Sequence, residues 1–270
     1  MQSFSRRDII GAGAAALTLG LAGCTGLAVS TEVRSDSYVV DGGTLVVETS
    51  NGDVTVEPTY SEQLEVSYTM QTNGPRSEFD RVRVDVETGA ENRVVASIDA
   101  SGFIPLSVSV DLRIRVPEGV RVVGAKTANG EVVVQNVAGD LVAETNNGNV
   151  EVTDVEGYVT LRSTNGDVTA RNIQGLDGAI STNGAVDVDV LGLRGNAEVR
   201  SSNGDVTARL DPSLQAALEA KTSNGEVTWR DIELVTTTWD DNEVRGNING
   251  GNSPLIRVQS SNGDVTIRAR

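Results

Sequence analysis

The sequence predicts an all-β chain: a β-solenoid built as a single stack of coils and entered through an N-terminal antiparallel section. Three observations predict it. The phrase Ser/Thr-x-Asn-Gly-x-Val recurs at Asn129-Gly130, Asn147-Gly148, Asn165-Gly166, Asn183-Gly184, Asn203-Gly204, Asn224-Gly225 and Asn262-Gly263. From Asn129 to Asn224 its spacings are 18, 18, 18, 20 and 21 residues, and a period of that length marks one structural unit stacked many times. Apolar residues keep fixed columns within the unit. Aromatic residues make up only 3% of the chain, which suits a narrow core of Val and Ala.

Residues 1–23 read as an export signal. Arg6 and Arg7 in Ser5-Arg6-Arg7-Asp8 form a twin-arginine pattern, followed by an Ala/Gly-rich run too short to span a bilayer as a helix. The run ends in Leu21-Ala22-Gly23-Cys24, which resembles a lipoprotein cleavage box, so Cys24 is the expected lipid attachment point. It is the only cysteine, and the chain has no histidine. Residues 24–36 are expected to be a polar tether, with one domain over 37–270.

From 37 to 122, period-two alternation predicts strands with one wet face, as in Thr44–Glu48, Leu64–Tyr68, Val82–Val86, Val94–Ile98 and Leu112–Val116. The turns are irregular, so this section is expected to be antiparallel, with Pro117-Glu118-Gly119 as the hinge into the coils. From 123 to 270 the columns align. Val132, Val150, Val168, Val186, Val206, Val227 and Val265 each lie two residues after the corner glycine. Ala125, Ala143, Leu161, Ala179, Val199, Ala220 and Val258 each lie two before the Ser/Thr. Positions between are polar, so the apolar columns face one continuous core. A second punctuation falls half-way, at Gly139, Gly157, Gly175 and Gly192, so each coil is expected to be two short strands and two corners. Asn-Gly is also a hairpin turn, but a meander has no reason to keep one residue in one place per full unit. Stacked Asn side chains can instead hydrogen-bond up the ladder. The stretch from Glu233 to Gly246 departs from the pattern and is expected to be a degenerate coil or a loop.

Ser-Asn-Gly-Asp-Val at 50–54, 202–206 and 261–265, with Ile114-Arg115-Val116-Pro117-Glu118-Gly119 before the coils, resembles the putative-adhesin family of unknown function. That family is related to head domains named for a Gly-Ile-Asn motif. The resemblance covers about Tyr38 to Arg270. It implies a right-handed solenoid, exported or membrane-tethered, and carries no catalytic residues.

The formal charge is −16. Loss of residues 1–23 removes Arg6, Arg7 and Asp8, one net positive charge, and leaves −17. The surface is similar to those of extreme halophiles, whose self-repulsion is screened over about 3 Å at 1 M salt. Such a surface argues against nucleic acid, which needs a basic footprint, and against anionic lipid, so the membrane is held by the lipid anchor alone.

Three constellations are candidates for chemistry. The acidic column Asp53, Glu131, Asp167, Asp205, Glu226 and Asp264 could offer oxygens to calcium, but Asn149 and Ala185 interrupt it, and a solvated face explains it as well. No metal is assigned. The arginines Arg171, Arg209, Arg230 and Arg268, with Arg162 and Arg200, are expected to pair with Asp187, Asp189 and the acidic column across coils. Trp229 lies in an inward column and should cap the core. Trp239, in the irregular stretch with Asp240 and Asp241, is the candidate ligand contact. Without histidine or a second cysteine, Ser-His-Asp and Cys-His systems are excluded. No catalytic residue and no cofactor is assigned. The expected function is a non-enzymatic, adhesin-like binding or scaffolding module on the outer face of the cytoplasmic membrane. Its partner would be an envelope polymer, a glycan or a surface protein. An envelope-stress or regulatory component working through a membrane partner, and a carbohydrate-active β-helix enzyme, are the alternatives.

Overall fold

The computed structural model describes residues 29–99 and 108–270. Cys24 and the twin arginines Arg6 and Arg7 lie outside them. In chain order the strands begin β1 (Ser30–Val39), β2 (Gly43–Thr49), β3 (Val54–Pro58), β4 (Gln63–Thr72), β5 (Val82–Glu87), β6 (Glu91–Ile98) and β7 (Ser109–Val116). They continue as β8 (Val120–Lys126), β9 (Val132–Ala138), β10 (Leu141–Asn147), β11 (Val150–Asn165), β12 (Val168–Asn183), β13 (Val186–Val190) and β14 (Ala197–Asn203). The last are β15 (Val206–Leu210), β16 (Ala216–Asn224), β17 (Val227–Arg230), β18 (Leu234–Asp240), β19 (Glu243–Ile248), β20 (Leu255–Asn262) and β21 (Val265–Ala269).

Two ladders face each other across the core. The first holds strands that run into the Asn-Gly corners, in the order β5, β6, β2, β8, β10, the end of β11, the end of β12, β14, β20, β16, β19 and β18. The second holds strands that leave the corners: β1, β4, β7, β3, β9, the start of β11, the start of β12, β13, β15, β21 and β17. Parallel pairing runs through the middle of both ladders; antiparallel strands close both at the N-terminal end and the first at the C-terminal end, where the second ends on the parallel strand β17. Space and sequence disagree twice. The coil β20–β21 lies between β14–β15 and β16–β17, and β2–β3 lies between β6–β7 and β8–β9.

The N-terminal section is therefore only partly antiparallel. The pairs β1–β4, β4–β7 and β5–β6 are antiparallel, whereas β2, β3, β6, β7 and β8 join the parallel stack. The reason is a coil already encoded at Asn51-Gly52, whose Gly52 and Val54 amides donate to Asn129 and Glu131 carbonyls at 2.7 and 2.8 Å. Residues 30–36 of the expected tether belong to β1. Its burial pattern is inverted, with Val33 and Val39 exposed and only Tyr38 packed on the core, so main-chain pairing with β4 does most to hold it.

The corner has three cooperating parts. The glycine takes a left-handed backbone, as at Gly148 with φ 144°, and its missing side chain leaves room for the carbonyl of the preceding coil. The Ser/Thr hydroxyl, two residues before the Asn, is buried and donates to that carbonyl: Thr145 to Gly130 O at 2.9 Å, Ser163 to Gly148 O at 2.8 Å. The asparagines form an unbroken ladder in spatial order 129, 147, 165, 183, 203, 262, 224, with Nδ2–Oδ1 distances of 2.8–2.9 Å. The Val columns stack in register inside, and Val132, Val150, Val168, Val206 and Val265 are wholly buried. Each such side chain is worth about 1.5–3 kcal/mol of burial.

The opposite corner differs from expectation. β11 and β12 pass through it without a break, each 16 residues long. Its left-handed residues are Asn136, Asp154 and Asn172, at φ 54°, 55° and 49°, three positions before Gly139, Gly157 and Gly175.

At the N-terminal end Glu57 lies 2.9 Å from both Arg113 and Arg115. Those guanidiniums hold its carboxyl below the ordinary range. A depressed carboxylate adds stability above its unfolded value, and that stability is lost as pH falls through the folded value. Glu57→Gln should lower the thermal midpoint near neutrality and flatten its fall on acidification. Melting curves between about pH 3 and 7 check this; a midpoint that falls as steeply in the variant would refute it.

Candidate functional site

The two ends of the rod are finished differently. At the C-terminal end the first ladder continues past β16 through the hairpin β19–β18, whereas the second stops at β17. Trp239 stands opposite Val244 on β18, on the side that elsewhere faces the core. Among the described residues no strand of the second ladder lies across from it, and it is 68% exposed. Trp229, beside Ile267 on β17, is half-buried and packs on the core. The two indoles meet edge to face, 5.7 Å apart at 86°, a favoured aromatic geometry. Trp229 thus closes the core and Trp239 extends it into solvent.

Asp240 and Asp241 form the hairpin tip. Asp240 Oδ1 accepts the Asn242 amide at 3.0 Å, an Asx turn. The Asp241 carbonyl accepts the Val227 amide at 2.9 Å, and the Asn242 carbonyl accepts that of Thr222 at 2.9 Å. These bonds supply the first rungs of a coil that is not there. Away from this end, Arg194 lies 4.5 Å from the Tyr158 ring centroid and bonds Asp140 and Asp177.

The acidic column has a backbone role. Asp53, Asn149, Asp167, Asp205 and Asp264 each accept, through Oδ1, the amide of the equivalent residue in the next coil, at 2.8–3.0 Å. Asn149 does the same work as the aspartates, so it continues the column. Glu131 has a raised pKa, through burial and then the Asp53 charge. Among the described residues no group of three or more acidic, cysteine or histidine side chains is placed to hold a metal.

The arginines separate into two sets. Arg171 and Arg209 both bond Asp187 across their coils, and Arg270 reaches Asp189 at 3.3 Å. Arg162 bonds Glu144 at 2.7 Å. Among the described residues no carboxylate lies within ion-pair distance of Arg200, Arg230 or Arg268. The described residues include no helix long and apolar enough to cross a membrane.

The family model described as Toastrack DUF4097 matches twice, over residues 43–174 and 107–268. No curated protein matches the chain. Among solved structures, a putative cell adhesion protein from Clostridium sporogenes is 13% identical, covers 90% of this chain and 100% of its own, and superposes with a TM-score of 0.39. A putative adhesin from Bacteroides fragilis is 13% identical over 88% of this chain and 97% of its own, TM-score 0.40. A putative lipid binding protein from Parabacteroides distasonis is 12% identical over 87% and 96%, TM-score 0.41.

Proposed function

Because the chain belongs to the Toastrack DUF4097 family, we propose that it is an exported, lipid-anchored, non-enzymatic module that binds a component of the cell envelope or a neighbouring surface. The observation that carries this reading is the asymmetry of the rod. Cys24 precedes β1 by few residues, and an extended chain spans at most about 3.3–3.6 Å per residue. A lipid on Cys24 therefore holds the β1 end against the membrane. The end with Trp239 then faces outward, and it carries a large side chain that rests edge to face on Trp229 and is otherwise 68% exposed. Rigid stacks present such faces at a set distance from their anchor. The lack of histidine and of any cysteine beyond Cys24 supports a binding role over nucleophilic catalysis.

The test is co-sedimentation of the lipid-free mature chain with envelopes and whole cells in molar salt, beside Trp239→Ala. Saturable binding is expected, weakened at least about tenfold in the variant, as for an aromatic anchor at a contact. Trp239 is mostly exposed, so its removal should leave the thermal midpoint nearly unchanged. Absence of sedimentation by the wild-type chain would overturn the reading in favour of a regulatory role through a membrane partner.

A further inference from the structure

A groove of about 990 Å³ runs along the second corner of the stack, on the edge of the rod opposite the Asn-Gly ladder. Its floor is Val137, Val155 and Ile173, all buried. One wall is the left-handed column Asn136, Asp154 and Asn172. The turns at 58–60 and 117–120 close it at the N-terminal end, where Tyr60 is fully exposed. Among the described residues its ring is not part of the buried core.

We propose that this groove binds a neutral, extended polysaccharide lying along the rod axis, a proposal that rests on the reading of the chain as a surface-binding module. Three arguments select that class. The polar groups of the wall repeat once per coil, since Thr153 and Val155 pair with Gln135 and Val137 on one side and with Arg171 and Ile173 on the other. Coils are about 4.8 Å apart, whereas same-side residues of an extended peptide recur every 6.6–6.8 Å, so a peptide would drift by about 4 Å over three coils. In an extended β-1,4-linked chain alternate sugars present the same edge, and that repeat is close to two coil spacings, so every second sugar meets an equivalent amide or carboxylate.

The second argument is the chemistry of the lining. Asn136, Asp154, Asn172 and Gln174 combine donors and acceptors on planar groups, which match adjacent hydroxyls. Asn172 already donates to Asp154 and accepts from Arg270 at 3.0 Å, so that part of the wall is held in place. The Asn136 amide has no protein partner among the described residues. Tyr60 offers a flat apolar face with a polar tip at the mouth. The third argument is charge. Glu118, Asp154 and Glu156 line the groove of a chain whose formal charge is −16, which repels uronate or sulfated polymers.

The experiment titrates the mature chain with cellotriose to cellohexaose by calorimetry, at low and molar salt, with oligogalacturonate of equal length as the charged control. Cellohexaose is expected to bind more tightly than cellotriose, with little salt dependence, and oligogalacturonate not at all. Tyr60→Ala and Asn136→Gly, the latter keeping the left-handed backbone that alanine would strain, should each weaken cellohexaose at least about tenfold, while Trp239→Ala leaves it unchanged. Absence of cellohexaose binding at millimolar concentration would overturn the proposal. So would equal binding of the charged control, or an affinity untouched by both groove variants. The two readings fail separately. Envelope binding lost on Trp239→Ala without oligosaccharide binding removes the groove alone. Groove-dependent oligosaccharide binding by a chain that does not sediment with envelopes removes the tip contact alone.

Discussion

Replacing Gly166 with alanine is expected to destabilise the rod by about 3 kcal/mol or more, because backbone strain of 1–3 kcal/mol adds to a clash that cannot relax. Gly166 has φ 154°, and a Cβ built on it would lie 2.0 Å from the Gly148 carbonyl oxygen and 2.4 Å from its carbon. Those atoms are main chain, and the same Gly148 oxygen accepts the Ser163 hydroxyl. Moving it would break that bond and the rung from the Gly148 amide to Asn165 O, 2.9 Å long. The strain therefore spreads to both neighbouring coils. Denaturant midpoints at constant salt measure the loss, with the exposed Thr164→Ala as a control expected within about 0.5 kcal/mol. A Gly166→Ala variant within about 1 kcal/mol of wild type would show that the corner can open, against the packing described.

Arg209→Met should be the second most damaging change, at about 2–3 kcal/mol, toward the low end of the cost of orphaning a buried charge. Arg209 bonds Asp187, and its Nε lies 3.5 Å from Asp189 Oδ1. The Asp189 residue is 4% exposed, and that oxygen accepts no hydrogen bond among the described residues. Its charge is balanced by guanidiniums and by the Asn172 main-chain amide, which donates to Oδ2 at 3.2 Å, and Arg171 and Arg270 remain to soften the loss. Methionine keeps the apolar stem, so the charge is what is tested. Arg162→Met, at the more exposed pair with Glu144, should cost no more than about 1 kcal/mol and nothing in molar salt. Equal salt sensitivity in the two variants would contradict the shielding of Asp189.

Much of this was legible in the chain. The period gave the coil, the Val columns the core, and the Ser/Thr-x-Asn-Gly phrase the corner, because each column has one physical task repeated in every copy. The order of the coils in space was not legible for the same reason. Equivalent columns make coils interchangeable, so nothing in the Asn262 copy says that it stacks on Asn203 rather than on Asn224. β1 escaped because its alternation is inverted. The second corner could have been found from Asn136, Asp154 and Asn172, which also recur every 18 residues, but the glycines three positions later drew the reading instead. The departure of 233–246 from the repeat marked a stretch that folds as the hairpin β18–β19 and not as a coil. The exposure of Trp239 depends on one ladder ending before the other, which no local pattern encodes. Tyr60 was passed over because it lies in an irregular turn outside the columns.

The interleaving of β20–β21 and β2–β3 changes how the rod responds to force. In a stack laid down in sequence order, the last coil has one neighbour, and tension on the terminus peels it away one rung at a time. Here β20 is held between β14 and β16, and β21 between β15 and β17. Tension on the C-terminus must tear a strand from two partners at once, with its bonds loaded together. β2 and β3 are clasped in the same manner near the other extremity, between β6 and β8 and between β7 and β9. A chain pulled by its C-terminus therefore resists at the coil where a stack laid down in sequence order gives way first.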